Sequence, residues 1–193
     1  MEDKRIQKTR QKLQQALTAL LAETPFERLN VTELCVRAGV SRITFYANYA
    51  DKYALVQERL DTLQQAAADA FSRRQEITNP SGEPAASCRN LLDAYLEAQS
   101  EESALLSSAA LENNAYLAFA YYASIVRGAE MLGAPYLAQL RPRYPAAMVA
   151  DMLCMGLWGF ARTALCEGVS PDELCAQMHS LLEGQLRGEL FRT

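Results

Sequence analysis

The segment 29–53 contains side chains with guanidinium, hydroxyl, amide and ammonium groups close together in the sequence. Guanidinium, hydroxyl and amide groups are the side chains that read base edges, and the same groups with ammonium bind phosphates. These residue types therefore offer the chemistry of nucleic-acid recognition, if one folded element presents them together. The candidate residues are Thr32, Ser41, Arg42, Ile43, Thr44, Tyr46, Ala47, Asn48 and Lys52.

The candidates divide into base readers and phosphate binders. Arg42 suits a guanine edge, Thr44 suits a hydrogen bond to a base, and Ile43 suits the methyl group of thymine. Tyr46 and Lys52 suit the phosphates on either side of a groove. Free amide groups at the start of the same helix attract a further phosphate.

The element before these residues is predicted to be a short helix. Asn30 followed three residues later by Glu33 is a capping-box pattern, which begins a helix over 31–38. Gly39 ends this helix because glycine adopts the left-handed conformation without strain.

Ser41 caps a second short helix, predicted over 42–49. Helices this short are unstable alone in water, so they need a third helix, predicted over 6–22, to close a core. Two short helices with the second free to enter a major groove are typical of a helix-turn-helix. The predicted inward-facing side chains are Leu13, Leu17, Leu20, Phe26, Leu34, Cys35, Ala38, Val40, Phe45 and Tyr49.

The charge distribution supports this interpretation. The net charge of −4 argues against a nucleic-acid partner, but residues 1–60 carry ten basic and seven acidic side chains. Residues 61–193 carry nine basic and sixteen acidic side chains. The positive charge is thus placed where the candidate residues lie.

The rest of the chain also follows helical spacing, and no run alternates over the length of a strand. We expect an all-α fold, with a helix-turn-helix domain over 1–51 and a helical bundle over 52–193 that forms a dimer. A proline-rich stretch with Pro135 is expected to separate two of the helices. The further predicted helices cover 52–75, 85–100, 103–112, 114–132, 146–167 and 171–190.

Residues 9–60 closely resemble the DNA-binding domain of the TetR family of transcriptional regulators. The resemblance is carried by VTELCVRAGVSRITFYANYADKYAL. It implies phosphate contacts for Tyr46 and Lys52. It implies base contacts at four positions, which are Thr32, Arg42, Ile43 and Thr44.

The run Arg-x-Thr-Phe-Tyr-x-x-Tyr-x-Asp-Lys-Tyr is similar to one subgroup, which includes regulators like the activator of dihydroxyacetone kinase genes. The subgroup usually has histidine where this chain has Asn48. The stretch LCMGLWGFARTALCEGVSPDELCAQMHSLL resembles the C-terminal region of the same subgroup by pattern.

Dimerisation is expected because two helix-turn-helix domains together reach half-sites in successive major grooves. Residues 152–161 are apolar around the whole helix, and glycines there allow another helix to approach closely. Core packing within one chain is the alternative for these residues. The predicted interface residues are Met152, Met155, Gly156, Gly159, Leu174, Met178, Leu181 and Leu182.

The family resemblance also implies a pocket for a small-molecule effector in the C-terminal part. Aromatic residues at helical spacing fit a pocket or an ordinary core. The candidate pocket residues are Tyr95, Tyr116, Phe119, Tyr122, Arg127 and Trp158.

The chain is therefore expected to be a ligand-responsive repressor that binds a palindromic operator as a homodimer in the cytoplasm. Activation, control by cysteine oxidation and control by a protein partner remain alternatives. No catalytic residues, cofactor or metal site are expected, because His179 is the one histidine and no catalytic motif appears. The longest uncharged run has fourteen residues, too short for a membrane span.

Overall fold

A computed structural model describes residues 4–101, 114–188, 190 and 191. Over these residues the chain forms eight α-helices and no β-strand, which confirms the all-α class. The predicted helix over 103–112 lies outside the described residues. The helices are α1 (Lys4–Leu21), α2 (Val31–Ala38), α3 (Arg42–Tyr46), α4 (Lys52–Thr78), α5 (Pro84–Glu101), α6 (Ala115–Gln139), α7 (Ala146–Cys166) and α8 (Pro171–Leu186).

Helix α6 continues seven residues beyond its predicted end and contains Pro135, so the prediction of a break there was wrong. Proline costs a helix one hydrogen bond and some steric strain. The helical turn that follows Pro135 offsets this cost, because its side chains pack against other parts of the chain. Leu137 is buried in a core cluster, and Tyr136 packs edge-on against Phe71.

Helix α3 is shorter than predicted, because it ends at Tyr46 rather than at residue 49. The side-chain amide of Asn48 donates to the carbonyl oxygen of Thr44 at 2.8 Å. This bond satisfies a carbonyl at the end of the helix, where no further backbone amide is available. Asparagine favours such local bonds, which compete with helix continuation.

The described residues form two compact units. We call residues 4–62 and 114–119 the head, and residues 63–101, 120–188, 190 and 191 the body. By packing, the head includes the first turns of α4 and the beginning of α6, in addition to the three helices that the sequence predicts for it.

The core of the head is formed by the side chains predicted from the sequence. Leu13, Leu17 and Phe26 are completely buried, and so are Leu34 and Phe45. Val40 is the exception, since it is only half-buried. The core therefore joins α1, α2 and α3 into one unit, as short helices require.

Two apolar clusters hold the body together. One includes Val149 and Leu153 of α7 together with Leu182 of α8. The other joins Ala164 of α7 to Leu174 and Met178 of α8. Helices α7 and α8 thus pack against each other along much of their length.

Helix α7 is long and apolar enough to cross a membrane by length and composition alone. Only 22 % of the relevant window is buried. One such helix is weak support for a membrane span, and Asp151 and Arg162 lie on it. An apolar face left for another protein subunit has the same composition.

Within the body, the side chains of Tyr95 and Gln64 lie very close to the backbone of α6 at Gly128. A methyl group at this position would lie 1.8 Å from the Tyr95 hydroxyl and 2.1 Å from Oε1 of Gln64. Tyr95 donates a hydrogen bond to that same Gln64 oxygen at 2.6 Å, and Gln64 donates to Ser124 at 2.9 Å. The missing side chain therefore makes room for a hydrogen-bonded chain of three residues.

We expect Gly128→Ala to lower the free energy of unfolding by about 1–3 kcal/mol, because the new methyl group must displace Tyr95 and Gln64. Gly184→Ala is the matched control, since a methyl group there meets nothing within 4 Å. In α8 it should stabilise by roughly 0.5–1 kcal/mol through helix propensity. Urea unfolding measures both, and equal effects of the two substitutions would contradict the packing argument.

Candidate nucleic-acid interface

The first helix of the candidate interface, α2, is capped at both ends as predicted. The Asn30 side chain accepts from the Glu33 amide, and the Glu33 carboxylate accepts from the Asn30 amide, both at 3.0 Å. Gly39 has a φ of 64°, and the Val40 amide donates to the carbonyl oxygen of Cys35 at 3.0 Å. The turn toward α3 is thus fixed by backbone geometry.

Helix α3 is anchored by one cap and one buried ring. The Ser41 hydroxyl accepts from the Thr44 amide at 3.0 Å and lies 2.8 Å from the Thr44 hydroxyl. Phe45 is completely buried in the core of the head. Together they fix the rotation of α3 about its axis, so its remaining side chains face outward.

The outward face of α3 is open to solvent. Ile43 is 84 % exposed and Tyr46 is 51 % exposed, which is unusual for large apolar side chains. The Arg42 guanidinium lies 6.0 Å from the centre of the Tyr46 ring. Thr32 of α2 and Ala47 after α3 are also exposed. Of the predicted set, Thr32, Arg42, Ile43, Tyr46 and Ala47 are therefore exposed, and whether they contact DNA stays a prediction.

Asn48 differs from the other predicted contact residues. It is half-buried, and its side-chain amide is engaged by the Thr44 carbonyl oxygen described above. The second hydrogen of the same amide nitrogen is still a donor, so Asn48 keeps one group that can bind a phosphate oxygen.

Lys52, predicted to bind phosphate, lies inside a network of carbonyl groups at the start of α4. Its ammonium donates to the carbonyl oxygens of Phe26 and Leu29 at 2.7 Å and of Glu27 at 3.2 Å. Burial lowers the pKa of Lys52, and the nearby carboxylates of Glu27 and Glu33 oppose this shift. Lys52 thereby fixes the loop that leads into α2.

An aromatic cluster that the sequence did not predict surrounds this loop. The rings of Phe26 and Tyr116 stack with centres 5.2 Å apart, and Tyr53 packs edge-on against both. Asn114 accepts a hydrogen bond from the Phe26 amide. Tyr116, predicted to line an effector pocket, therefore belongs to the head.

A polar network that the sequence did not predict connects α1 to α4. Gln14 donates to the Leu55 carbonyl oxygen and to the Glu58 carboxylate, both at 3.0 Å. Arg10 pairs with Glu58 at 2.9 Å, and the Tyr49 hydroxyl donates to the same carboxylate. Burial first, and then Glu58, raise the pKa of Tyr49, so it remains a donor. The helical spacing of the sequence does not reveal the contacts of Gln14 and Arg10 with α4, because the partners lie 41–48 residues apart.

The other predicted effector residues lie in different surroundings. Tyr95 is buried and bound to Gln64, as described above. Tyr122 contacts Trp158, with ring centres 5.7 Å apart, and donates to Asp151. Phe119 and Arg127 are exposed.

The predicted dimer residues divide into two sets. Met152 and Met155 on α7 are exposed, and a methyl group added at Gly156 or Gly159 meets nothing within 4 Å. On α8, Leu181 is half-buried. The other α8 residues are buried within the protomer, and these are Leu174, Met178 and Leu182.

The five cysteines differ in burial: Cys35 and Cys88 are buried, Cys154 and Cys175 are half-buried, and Cys166 is exposed. Burial raises the pKa of Cys88 and of Cys154 to about 12. A thiol oxidises readily only as a thiolate, so these two sites do not favour oxidative control.

Residues 14–58 match the family described as "Bacterial regulatory proteins, tetR family". The matched segment contains α2 and α3 entire, the last eight residues of α1 and the beginning of α4. The fold resembles the crystal structure of FadR from Thermus thermophilus, a TetR family transcriptional repressor in complex with lauroyl-CoA. That comparison has a TM-score of 0.61 and 23 % identity, over 95 % of this chain and 96 % of that chain. No curated protein matches the sequence.

The match identifies the N-terminal segment as a TetR-family DNA-binding domain. The shared fold extends through nearly the whole chain. Together they support a DNA-binding transcriptional regulator rather than an enzyme.

Replacing Lys52 by methionine removes three hydrogen bonds to carbonyl groups but keeps a long apolar side chain. We expect the free energy of unfolding to fall by about 1–3 kcal/mol in urea melts, as for lost bonds to a charged group. Lys12→Met is the control, because Lys12 is exposed on α1 and its loss should change stability by under about 0.5 kcal/mol. Unchanged stability with weakened DNA binding would instead make Lys52 a direct phosphate contact.

Proposed function

We propose that this chain is a homodimeric transcriptional repressor that binds a palindromic operator and is released by a small-molecule effector in the cytoplasm. The observation that carries the proposal is the face of α3. Arg42, Ile43 and Tyr46 point to solvent there, while Phe45 is completely buried beneath them. Ile43 and Tyr46 place apolar surface beside the Arg42 guanidinium, and this combination suits contact with a thymine methyl group and the DNA backbone.

The roles of the α3 residues follow from their chemistry. Arg42 reads a guanine edge or holds a phosphate, and Ile43 contacts a thymine methyl group. Thr44 has its hydroxyl beside Ser41, and the pair offers donors and acceptors to a base or a phosphate. Tyr46 binds the backbone of the same groove. Thr32 and Ala47 lie on the edges of this surface.

The proposed dimer surface is the exposed face of α7. Met148, Met152 and Met155 follow one another at helical spacing, and each is more than 40 % exposed. The open space at Gly156 and Gly159 lets a partner helix approach closely. Among the predicted interface residues on α8, Leu181 still has surface that a partner can bury. Leu174, Met178 and Leu182 are already buried within the protomer.

The proposed effector acts through the body. FadR, whose fold this chain resembles, is described in complex with lauroyl-CoA. An effector that binds one arrangement of the two heads better than another shifts the population away from the arrangement that fits the operator. Tyr122 and Trp158 are the predicted pocket residues that contact each other in the body.

The similarity to regulators of the dihydroxyacetone kinase type bears on the sign of regulation. We retain repression as the proposal, because the solved relative is a repressor. Activation is the outcome that the subgroup resemblance would favour.

The test of DNA recognition uses duplexes selected from a random-sequence pool by the full chain. Arg42→Ala should weaken binding to the selected duplex by roughly 1–3 kcal/mol. If Arg42 also touches a phosphate, the plot of log affinity against log salt concentration should be less steep for Arg42→Ala, by about 1 in slope. Fluorescence anisotropy across a salt series measures both quantities.

The control is Arg73→Ala, because Arg73 lies on the body, is 60 % exposed and pairs with Glu97. It should bind the selected duplex as the parent chain does. Equal losses for both substitutions would show a general charge effect and remove Arg42 from the base-reading set.

The test of the dimer surface is Met155→Glu, which places a charge in the proposed interface. We expect the dissociation constant of the dimer to rise at least tenfold relative to the parent chain, because the carboxylate would be buried without a partner. Met131→Glu is the control, since Met131 is 70 % exposed on α6. Sedimentation equilibrium measures both, and a dimer that resists Met155→Glu would place the interface elsewhere.

A further inference from the structure

Three side chains with metal-ligating atoms meet in the body. Asp93 lies on α5, whereas Cys175 and His179 lie one helical turn apart on α8. The Asp93 carboxylate, the Cys175 sulfur and a His179 ring nitrogen all lie within 4.8 Å of one another. One oxygen, one sulfur and one nitrogen are therefore grouped closely enough to be considered as ligands of one ion.

Neighbouring contacts orient this cluster. Oδ1 of Asp93 lies 2.6 Å from Nε2 of His179. Oδ2 of Asp93 accepts from Arg74 at 3.4 Å, which leaves Oδ1 directed toward the histidine. Arg74 is also bound by Glu97 at 3.0 Å. The positive charge of Arg74 acts on the cluster through Asp93, and it also lowers the pKa of Cys175, against the larger opposing effect of burial.

We propose that Asp93, Cys175 and His179 bind a Zn²⁺ ion, with water as the fourth ligand. Zinc accepts thiolate, imidazole and carboxylate together in a tetrahedral arrangement, and three protein ligands with one water are a recognised form of such a site. Mg²⁺ and Ca²⁺ require sets of oxygen ligands, and this cluster supplies one carboxylate.

The geometry of the cluster suits this ion after small movements. Zinc bonds of about 2.0–2.3 Å hold neighbouring ligand atoms roughly 3–4 Å apart. The histidine nitrogen and the carboxylate oxygen, 2.6 Å apart, must separate slightly to reach this spacing. The sulfur, within 4.8 Å of both atoms, must lie at the same spacing when the ion is bound.

The cluster is accessible to solvent without being fully exposed. The side chains of His179 and Asp93 retain 33 % and 20 % of their accessible surface. Solvent therefore reaches the fourth ligand position, and an ion can enter without unfolding the body. On binding, Cys175 gives its thiol proton to solvent and the ion takes its place.

Bound zinc would join α5 to α8 within the body. This consequence does not depend on DNA recognition, because none of the three ligands lies in the head. The zinc site and the proposed repressor function can therefore fail independently.

The test uses the full chain, reduced and freed of metal with a chelator. Titration with Co²⁺, which substitutes for zinc, should produce thiolate-to-cobalt charge-transfer absorption and the strong visible bands of a tetrahedral site. Stoichiometric Zn²⁺ should abolish both signals. Zinc should also raise the melting temperature of the parent chain.

Two substitutions remove single ligands with little change of shape. Cys175→Ser should abolish the charge-transfer band, and His179→Gln should weaken cobalt binding at least tenfold. Circular dichroism confirms that each variant is folded. Cys166→Ser is the matched control, because Cys166 is an exposed cysteine on α7 and does not belong to the cluster. It should bind cobalt as the parent chain does.

Four results would overturn the proposal, and the first three concern the cobalt spectra. They are the absence of tetrahedral cobalt spectra in the parent chain, an unchanged charge-transfer band in Cys175→Ser, and a band that is lost in Cys166→Ser instead. If zinc raised the melting temperature of His179→Gln as much as that of the parent chain, histidine would not be a ligand and the site as proposed would be wrong.

Discussion

The structure depends on how a helix of five residues is held in place. Helix α3 is too short to be stable alone, so the surface that it presents exists only through its neighbours. Ser41 caps its beginning, Asn48 satisfies a carbonyl near its end, and Phe45 fixes it to the core. Every outward group on α3 is thereby oriented before any ligand arrives, which reduces the entropy lost on binding.

The same constraint explains why the head recruits residues far away in the chain. Lys52 satisfies three carbonyl groups of the loop before α2, and the Phe26 ring in that loop stacks on Tyr116. Glu58 collects contacts from Arg10, Gln14 and Tyr49. Helices α1 and α4 therefore support the two short helices from the side opposite to the proposed DNA surface.

The elements of the head could be predicted because their signals are local. Capping residues such as Asn30, Glu33 and Ser41 act within one turn, and the spacing of apolar residues selects the buried face. The actual burial of Leu34 and Phe45 follows from the same spacing. The candidate interface could thus be identified in a chain whose net charge of −4 argues against it.

What the sequence could not predict depends on contacts between distant residues. Pro135 continues α6 because Leu137 and Tyr136 have packing partners elsewhere in the chain. Lys52 was predicted to bind phosphate from its chemistry and from the family resemblance, and its carbonyl partners lie more than 20 residues away. The Cys175 and His179 spacing is visible in the sequence, but Asp93 joins them only in the fold, which is why no metal site was expected.

The central claim is that the exposed face of α3 touches DNA bases. The most direct measurement is photocrosslinking from a benzophenone amino acid that replaces Ile43, using the full chain and a duplex that it has selected from a random pool. The account predicts crosslinks to bases at two symmetry-related positions of the duplex. The same group at Ile77, which is 79 % exposed on the part of α4 in the body, should give none. Crosslinks from position 77 with none from position 43 would contradict the account.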